Sequence, residues 1–491
     1  MHALPANKAA TASVGGVRSG WFRSFLGGLL VLLSTPLLAG ETWMQDPFAT
    51  EQGVATSPAG NLFPVMGTEA PCSAADDRRP LRDLLLATVV DHALCHHART
   101  RQAWINAKAQ AAQVGISQGA FLPTLSANAS ITRQRTVITG NDPFTSGSSA
   151  YTTTDTTLSL NLLLYDFGAR AANLANARAL LAAANADHAT ALWEVYLAAA
   201  RAYYQHFGAE ATLIAAREAE AAAETSLKAA SAKHVAGAGT PADVWQARTA
   251  YSQAVLNRIR AEGDLRTAHG ILADSMGEEV DVELTLAPNP IREPTAPATL
   301  TAELPQLLAE ARKLRPELQS AAAQVEAAQA AVQAAAASGK PTVNLTSGLD
   351  SSRDTLNDRS HGSTVGVSLS FPLSSGFNPT YRLRAAREQV AARQVQEEQT
   401  RHQVGLDVWK GYQQLLTEGQ ALKSAADLEA SARQSERVAR GRYEAGAGNI
   451  LDLLTAQSAH ADARRQHIQA HYNWHLARIT LAQAVGRLEV P

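Results

Sequence analysis

A turn sequence that occurs twice constrains the fold of this chain more than any other feature. HVAGAGTPADVWQAR begins at His234, YEAGAGNILDLLTAQ begins at Tyr443, and each stands between two long alanine-rich stretches. Two glycines and an aspartate recur 209 positions apart, namely Gly237 and Gly446, Gly239 and Gly448, and Asp243 and Asp452. LADSMG and LAQAVG, which end at Gly277 and Gly486, keep the same offset. The chain is therefore predicted to be an internal duplication.

Each turn follows a long stretch without proline, from Gly168 to about Ala236 and from about Tyr381 to Ala445. Alanine is the strongest helix former, so each stretch predicts a helix. Roughly 65 residues at about 1.5 Å each form a rod about 100 Å long, which no single globular core requires. The two glycine pairs then reverse the chain, because glycine tolerates the positive φ that ends a helix. Thr240 and Asn449 are the predicted N-caps of the descending helices.

Ahead of each long helix, the period of the apolar residues changes from about 3.6 to 2, which favours strands. Alternating runs occur at 125–131 and 158–164 in the first copy, and at 343–345 and 365–371 in the second. These runs predict two antiparallel strands of about ten residues per copy. The polar segments TGNDPFTSGSSAY and DSSRDTLNDRSHGS are the predicted loops between them. A single helix is predicted before each strand pair, over 81–118 and 303–337.

The N-terminus differs in composition from the rest of the chain. Arg18 and Arg23 precede the apolar run FLGGLLVLLSTPLLAG, which is typical of a secretory signal peptide, a buried core helix being the alternative. No later stretch of about twenty apolar residues predicts a membrane-spanning helix. The predicted organisation is, in chain order, a signal peptide over 1–40, an N-terminal extension over 41–80, a first repeat over 81–277 (β-hairpin 123–166, helical hairpin 168–277), a linker over 278–302, and a second repeat over 303–486 (β-hairpin 341–373, helical hairpin 377–486).

Export to an oxidising compartment permits a disulfide between Cys72 and Cys95, the two cysteines of the chain. Cys72 stands in a predicted loop and Cys95 ends an apolar helical run, so this bridge would tie the extension to the first helix. Two free buried thiols are the alternative. His92 and His96, beside Cys95 and His97, have a spacing that could hold Zn²⁺. No third ligand is evident, so solvated histidines are favoured and no metal site is predicted.

His467, His471 and His475 also recur every four residues and could sense pH, although an exposed or tunnel-facing stripe is the favoured interpretation. The sequence contains no recognisable catalytic constellation or phosphate-binding loop, so neither enzymatic activity nor a cofactor is expected. The net charge of −2 predicts no basic surface for nucleic acid.

The predicted strands have about the length that crosses a bilayer when tilted. Strands in hydrocarbon must pair on both edges, so only a closed barrel is viable, and four strands cannot close around a usable lumen. Three chains would supply twelve strands. Aromatic residues at the strand–helix junctions are predicted to lie at the membrane interface, namely Phe121, Tyr165, Phe167 and Phe371. The predicted fold class is an α+β membrane protein with duplicated helical hairpins forming a coiled-coil tunnel; a coiled-coil rod without a pore is the alternative.

The residues from about 80 to 488 resemble the TolC-like outer-membrane factors. The resemblance rests on the duplicated element order, on AFLPTLSANAS at the entry to the first strand, on LLLYDFG after the second, and on the paired GAG…D turns. It implies a homotrimer in the outer membrane, with a twelve-stranded barrel continued by a twelve-helix tunnel through the periplasm. The paired turns would lie at the periplasmic entrance, where the tunnel closes.

The stretch ALCHHARTRQAWINAKAQAAQVG is similar to the branch of the family that serves type I secretion. That branch implies a passive exit duct with three further partners: a periplasmic membrane-fusion adaptor, an inner-membrane ABC transporter, and an exported protein toxin of the adenylate cyclase (cyclolysin) type. An efflux pump for drugs or metals is the alternative function.

The resemblance also implies roles for residues near the turns. Asp452 matches the acidic residue of the family's constriction, which forms a ring of three carboxylates in a trimer. Thr455 stands where many members have a second aspartate. Tyr443 matches a tyrosine that latches the closed entrance, and Asp243 matches its acidic partner. Gly448 replaces an arginine of the same latch, which puts in question how firmly this entrance closes.

Overall fold

The computed structural model describes residues 46–55, 57, 72, 81–139, 147–288, 303–355 and 358–487. The chain divides into two compact units, 1–47 and 48–491, and the features below belong to the second. The predicted signal peptide lies outside the described residues, as do most of the predicted extension and residues 289–302 of the predicted linker.

The described helices form two series of equal lengths. The first contains helices of 11, 22, 67 and 36 residues, which are α1 (Leu86–His96), α2 (Ala98–Gly119), α3 (Ala169–Val235) and α4 (Pro241–Met276). The second contains helices of the same four lengths, which are α5 (Leu304–Leu314), α6 (Pro316–Ala337), α7 (Asn378–Glu444) and α8 (Ile450–Val485). The duplication seen in the turns therefore extends to every described helix of the two series.

Four strands lie between the helices and form one antiparallel sheet in the order β1-β2-β3-β4. They are β1 (Thr124–Ile138), β2 (Gly147–Tyr165), β3 (Thr342–Asp354) and β4 (Arg359–Ser370). β2 joins the two copies by pairing with β3, with Leu158 opposite Leu349. Between α2 and α6 the offset of the copies is 218, and between α3 and α7 it is 209, so the difference in length lies in the strand region.

The strands are longer than the ten residues predicted, and the predicted loops are correspondingly shorter. β1 has 15 residues and β2 has 19, because the ladder continues through polar residues to the pair Ile138 and Gly147. In the second copy the ladder reaches Arg353 opposite Arg359, within the segment predicted as a loop. Backbone pairing and β-branched threonines sustain these extensions, where apolar alternation no longer indicates a strand.

The single helices predicted over 81–118 and 303–337 are each two helices. His97 and Arg315 adopt extended conformations, with ψ of 131° and 120°, and interrupt them. Pro316 disfavours a helical conformation at Arg315, and the guanidinium of Arg315 donates to the carbonyls of Gln483 and Ala484 at the end of α8. The contact with α8 and the steric effect of Pro316 together end the first of these two helices at Arg315.

The helical cores occupy matching positions in the two copies. Val89, Val195 and Leu272 lie in one cluster of buried side chains, and Leu307, Val404 and Leu481 lie in the other. Each member of the second set is the repeat equivalent of one in the first, and each of the six is at most 2% exposed. Apolar burial of this kind is the main favourable contribution to helix packing.

The sheet exposes large apolar side chains. Val365, Val367 and Leu369 of β4 are 77%, 66% and 70% exposed. Tyr165 and Phe167 meet at the strand–helix junction with ring centroids 4.8 Å apart, and the Arg170 guanidinium lies 4.9 Å from the ring of Phe121. Among the described helices, none is both long enough and apolar enough to cross a membrane.

Candidate functional site at the helical turns

The two turns have the same backbone geometry. Gly237 and Gly446 have φ of 73° and 74°, in the left-handed region that side chains disfavour. Ala238 N–H donates to the Lys233 carbonyl (2.8 Å), and Ala447 N–H donates to the Arg442 carbonyl (2.9 Å). These bonds satisfy carbonyls that the helix ends leave free.

The second glycine of each turn lies close to the end of the preceding helix. A Cβ at Gly239 would lie 3.2 Å from the His234 nitrogen, and one at Gly448 would lie 3.1 Å from the Cβ of Arg442. The arginine that the resemblance implies for this position would place its Cβ against the end of α7. The turn is tight, and an arginine at Gly448 would require a shift of the neighbouring helix end.

The predicted N-caps, Thr240 and Asn449, are confirmed. The Thr240 hydroxyl accepts from Asp243 N–H (3.2 Å), and the Asp243 carboxylate accepts from Thr240 N–H (2.8 Å), which completes a capping box. Asn449 Oδ1 accepts from Asp452 N–H at 2.7 Å. Asp243 therefore stabilises the N-terminus of its own helix, α4.

Tyr443 is buried between the two helical hairpins. It lies in one cluster with Ala230, Ala247, Ile450 and Leu453, and it is 6% exposed. Burial raises the pKa of Tyr443, and the negative charge of Asp243 raises it further. Asp243 is therefore near enough for its charge to affect the phenol of Tyr443, and the latch between the two residues stays a prediction.

Asp452 and Thr455 lie on the first turns of α8 and are exposed. They are three positions apart, so they project from the same face of the helix. Asp452 also lies near the N-terminus of α8, where the helix dipole favours a negative charge.

Lys233, on the last turn of α3, was not predicted from the sequence. Its ammonium group donates to the Tyr443 carbonyl (2.5 Å) and lies 3.7 Å from the centroid of the Tyr443 ring. A basic residue in the last turn of a helix is common, so the sequence alone could not assign it to a residue 210 positions away.

Further polar contacts join α3 of the first copy to α8 of the second. We call this line of contacts between the two copies the seam. Ser226 of α3 hydrogen-bonds to Gln457 of α8, with Gln457 Nε2 3.0 Å from Ser226 Oγ. Further from the turns, Arg464 of α8 forms an ion pair with Glu218 of α3.

Within each helical hairpin, a charged pair joins the two long helices. Arg258 Nε lies 2.6 Å from Glu220 Oε2 in the first hairpin. At the equivalent positions of the second hairpin, His467 Nδ1 lies 2.5 Å from Glu429 Oε2, and Arg433 also pairs with Glu429. Seven residues nearer the turn, His460 pairs with Glu436. The permanently charged arginine of one copy is replaced by a titratable histidine in the other.

His467, His471 and His475 do not form an exposed stripe, because α8 packs against both α7 and α3 along this face and all three residues are partly buried. A tunnel-facing stripe stays a prediction. His467 pairs with Glu429, and His475 stacks on Tyr204 of α3 with ring centroids 5.1 Å apart. Burial lowers the pKa of His475 to about 4, with smaller contributions from His471 and Arg478.

Helix α1 is fixed by covalent and polar contacts. Cys72 and Cys95 form a disulfide, with Cα atoms 5.3 Å apart. Beside it, His92 Nε2 lies 2.7 Å from Glu278 Oε1, and the rings of His92 and His96 stack at 4.0 Å. Over the described residues, no group of three or more histidine, cysteine or acidic side chains is arranged to hold a metal ion.

Residues 53–55 pack between α2 and α3. The sequence did not predict this contact. Val54 is buried against Ala107 and Ala111, and Trp104 Nε1 donates to the Ala55 carbonyl at 2.8 Å. Asn185 Nδ2 donates to the Gly53 carbonyl at 2.7 Å. Residues 53–55 are therefore packed into the helical part of the first copy.

The fold and the paired turns agree with a known family. Its sequence profile, described as "Outer membrane efflux protein", matches residues 89–278 and 307–487, one block for each copy. The chain belongs to this outer-membrane efflux protein family.

Relatives across the family support this assignment. The chain is 31% identical over 449 residues to Protein CyaE of Bordetella pertussis, covering 89% of this chain and 90% of that protein. It is 23% identical over 313 residues to the outer membrane protein TolC of Vibrio cholerae, covering 62% and 70%. Its fold matches the Campylobacter jejuni CmeC outer membrane channel with a TM-score of 0.73 and 19% identity, covering 82% of this chain and 85% of that chain.

The predicted fold class is thereby confirmed: long helical hairpins combine with a four-stranded sheet, as in TolC-like outer-membrane channels. The outer membrane is the location of the protein, and both its family and its fold are those of channel proteins.

Proposed function

We propose that the protein is the outer-membrane exit duct of a type I secretion system, which exports a protein toxin of the adenylate cyclase (cyclolysin) type. The observation that supports this most is the 31% identity to CyaE over 89% of the chain. In this proposal an inner-membrane ABC transporter supplies the energy, and a periplasmic adaptor joins it to the duct. The working chain is the pair of repeats over 81–277 and 303–486, after removal of the signal peptide over 1–40.

The assembly proposed is a homotrimer. The sheet is antiparallel and ends in β1 on one side and β4 on the other, so one chain offers two strand edges for further pairing. Hydrocarbon does not tolerate unpaired edges, and three chains would close a barrel of twelve strands. The exposed apolar residues of β4 would then face lipid, and the aromatic residues at the strand–helix junctions would lie at its interface.

The turns would form the periplasmic entrance of this duct. In a trimer the three Asp452 carboxylates would form a ring, and their exposure on α8 is compatible with a position in water. Tyr443 and Asp243 would latch the two hairpins in the closed state. Thr455 would leave the second position of the constriction uncharged.

Two experiments test this proposal. Light scattering in detergent should give a mass near three times that of one chain, and planar bilayers should show single-channel conductance. A monomer without conductance would instead indicate a coiled-coil envelope protein without a pore.

Reconstitution then separates the two duct functions. Restored secretion of a toxin by an ABC transporter and adaptor that lack their own duct supports type I secretion. Restored drug or metal resistance in place of toxin secretion would assign the protein to an efflux pump.

A further inference from the structure

Lys233 makes two contacts with a single residue of the other helical hairpin. Its Nζ donates a hydrogen bond to the Tyr443 carbonyl (2.5 Å), and it lies 3.7 Å from the centroid of the Tyr443 ring. The second distance is well within the range of a cation–π interaction. Lys233 therefore holds both the backbone and the aromatic face of Tyr443.

The position of the carbonyl strengthens this contact. Tyr443 is the next-to-last residue of α7, so its carbonyl is among the acceptors at the negative end of the helix dipole. An ammonium group at a helix C-terminus is favourable, and hydrogen bonds from charged donors are stronger than those between neutral groups. Tyr443 is buried, which reduces the competition from water for its ring.

The contact joins the two copies at the end of the seam nearest the turns. Lys233 lies two residues before the end of α3, whereas the Ser226–Gln457 and Glu218–Arg464 contacts lie progressively further back along α3. Separation of the two turns must therefore break the Lys233 contact before the others.

Neither contact of Lys233 uses the Tyr443 hydroxyl. The hydroxyl is the group through which the charge of Asp243 affects Tyr443, and burial with that charge raises the pKa of Tyr443. The ring face that Lys233 contacts and the hydroxyl that the charge of Asp243 influences are thus different parts of one side chain.

We propose that Lys233 is a positioning residue that clasps the Tyr443 ring and carbonyl, and so holds the turns of the two helical hairpins together in the resting state. The proposal deepens the proposed duct function, on which its gating consequence rests. The clasp is independent of the Tyr443–Asp243 latch.

The first test is the conductance of trimers in planar bilayers. Lys233→Met keeps the aliphatic stem and removes the charge, and we expect it to raise the open probability about fivefold. Lys233→Arg retains a cation for the ring and should behave like the unmodified protein. Lys228→Met is the matched control, because Lys228 is on the same helix, 72% exposed, and paired with Glu224 within α3.

A second test does not depend on conductance. Ala238 and Ala447 are exposed and equivalent residues of the two turns, and the described chain has no free cysteine. Spin labels on Ala238→Cys and Ala447→Cys report the separation of the turns in detergent. Lys233→Met should broaden this distance distribution and shift it to longer values, with the melting temperature close to that of Lys228→Met.

Double variants separate the clasp from the latch. Tyr443→Phe keeps the ring, so Lys233→Met should still widen the turns in that background. Tyr443→Leu removes the ring but keeps the carbonyl, so Lys233→Met should then have a smaller effect, through the carbonyl bond alone. An unmodified protein without conductance would overturn the proposed duct but leave the distance test valid. Equal distances in Lys233→Met and Lys228→Met would overturn the clasp.

Discussion

His467 donates a hydrogen bond to Glu429 across the second helical hairpin, at the positions where Arg258 and Glu220 pair across the first. The offset of 209 residues applies to both partners, so the two pairs occupy equivalent positions of the copies. The first hairpin is joined through the guanidinium of Arg258, and the second through the imidazole of His467. The two pairs can therefore be compared by substitution at equivalent positions.

Glu429→Gln should destabilise the second hairpin at neutral pH by about 1–3 kcal/mol. Burial alone would raise the pKa of Glu429, but hydrogen bonds from His467 and Arg433 hold it below its usual range. A lowered carboxyl pKa contributes stability above its unfolded-state value, and this contribution is lost as the pH falls through the folded-state pKa. Hydrogen exchange of α7 and α8 peptides at pH 7 and pH 4 measures both effects.

The first hairpin supplies the control for this prediction. Glu220→Gln should accelerate exchange in α3 and α4 and leave α7 unchanged. His467→Arg should give the second hairpin the cation of the first, and exchange in α7 should then stay as slow as in the unmodified protein. Faster exchange in α7 of this variant would contradict the explanation.

Acid should weaken the packing of α8 on α3 through His475. Burial lowers the pKa of His475 to about 4, so the folded state keeps it neutral where the unfolded state binds a proton. The contribution of neutral His475 to the free energy of unfolding is complete above the ordinary histidine pKa near 6.5. This contribution declines as the pH falls from there towards 4. We expect His475→Phe to reduce the loss of unfolding free energy between pH 7 and 4.5 by about 2 kcal/mol.

Urea unfolding at the two pH values measures this difference. His402→Phe is the matched control, since the His402 side chain is 77% exposed on α7. Identical acid sensitivity of both variants would show that His475 is not responsible.

Asp452→Asn should reduce cation selectivity and block by multivalent cations from the entrance side of the proposed duct. Three carboxylates near one axis attract cations jointly, and an amide does not. Because Asp452 is exposed, we expect stability to change by only about 0.5 kcal/mol. Thr455→Asp should deepen the block by adding a second acidic ring.

Ion selectivity and block in planar bilayers check this assignment. Asp462→Asn is the control, because Asp462 is an exposed residue further along α8 that pairs with Arg465. If Asp452→Asn and Asp462→Asn gave the same selectivity as the unmodified protein, Asp452 would have no role in permeation.

Replacement of Cys72 and Cys95 by serine should lower the free energy of unfolding by about 3 kcal/mol, because the bridge closes a loop with a sequence separation of 23. Thermal unfolding of the double variant and of the reduced unmodified protein should agree. Thiol labelling of the unreduced, denatured protein should detect no free cysteine, and complete labelling would contradict the bridge.

Much of this architecture follows from local patterns in the sequence. The long helices, the N-caps at Thr240 and Asn449 and the alternating strands depend on residue types close together in the chain, and the repeated turn reveals the duplication. The breaks at His97 and Arg315, the added strand length and the clasp by Lys233 depend on partners far away in sequence. Lys233 and Tyr443 are separated by 210 residues, a relationship that no local pattern contains.

The helices of the two copies agree in length to the residue, whereas the copies differ by nine residues in the strand region. Each added helical residue would displace a turn by about 1.5 Å, so an insertion in one copy would leave its tip out of line with its counterpart. An insertion in a loop between two strands does not displace the turns between the long helices. The strand loops are therefore the places to graft epitopes or affinity tags, and the long helices are the places where even a short graft spoils the alignment of the two tips.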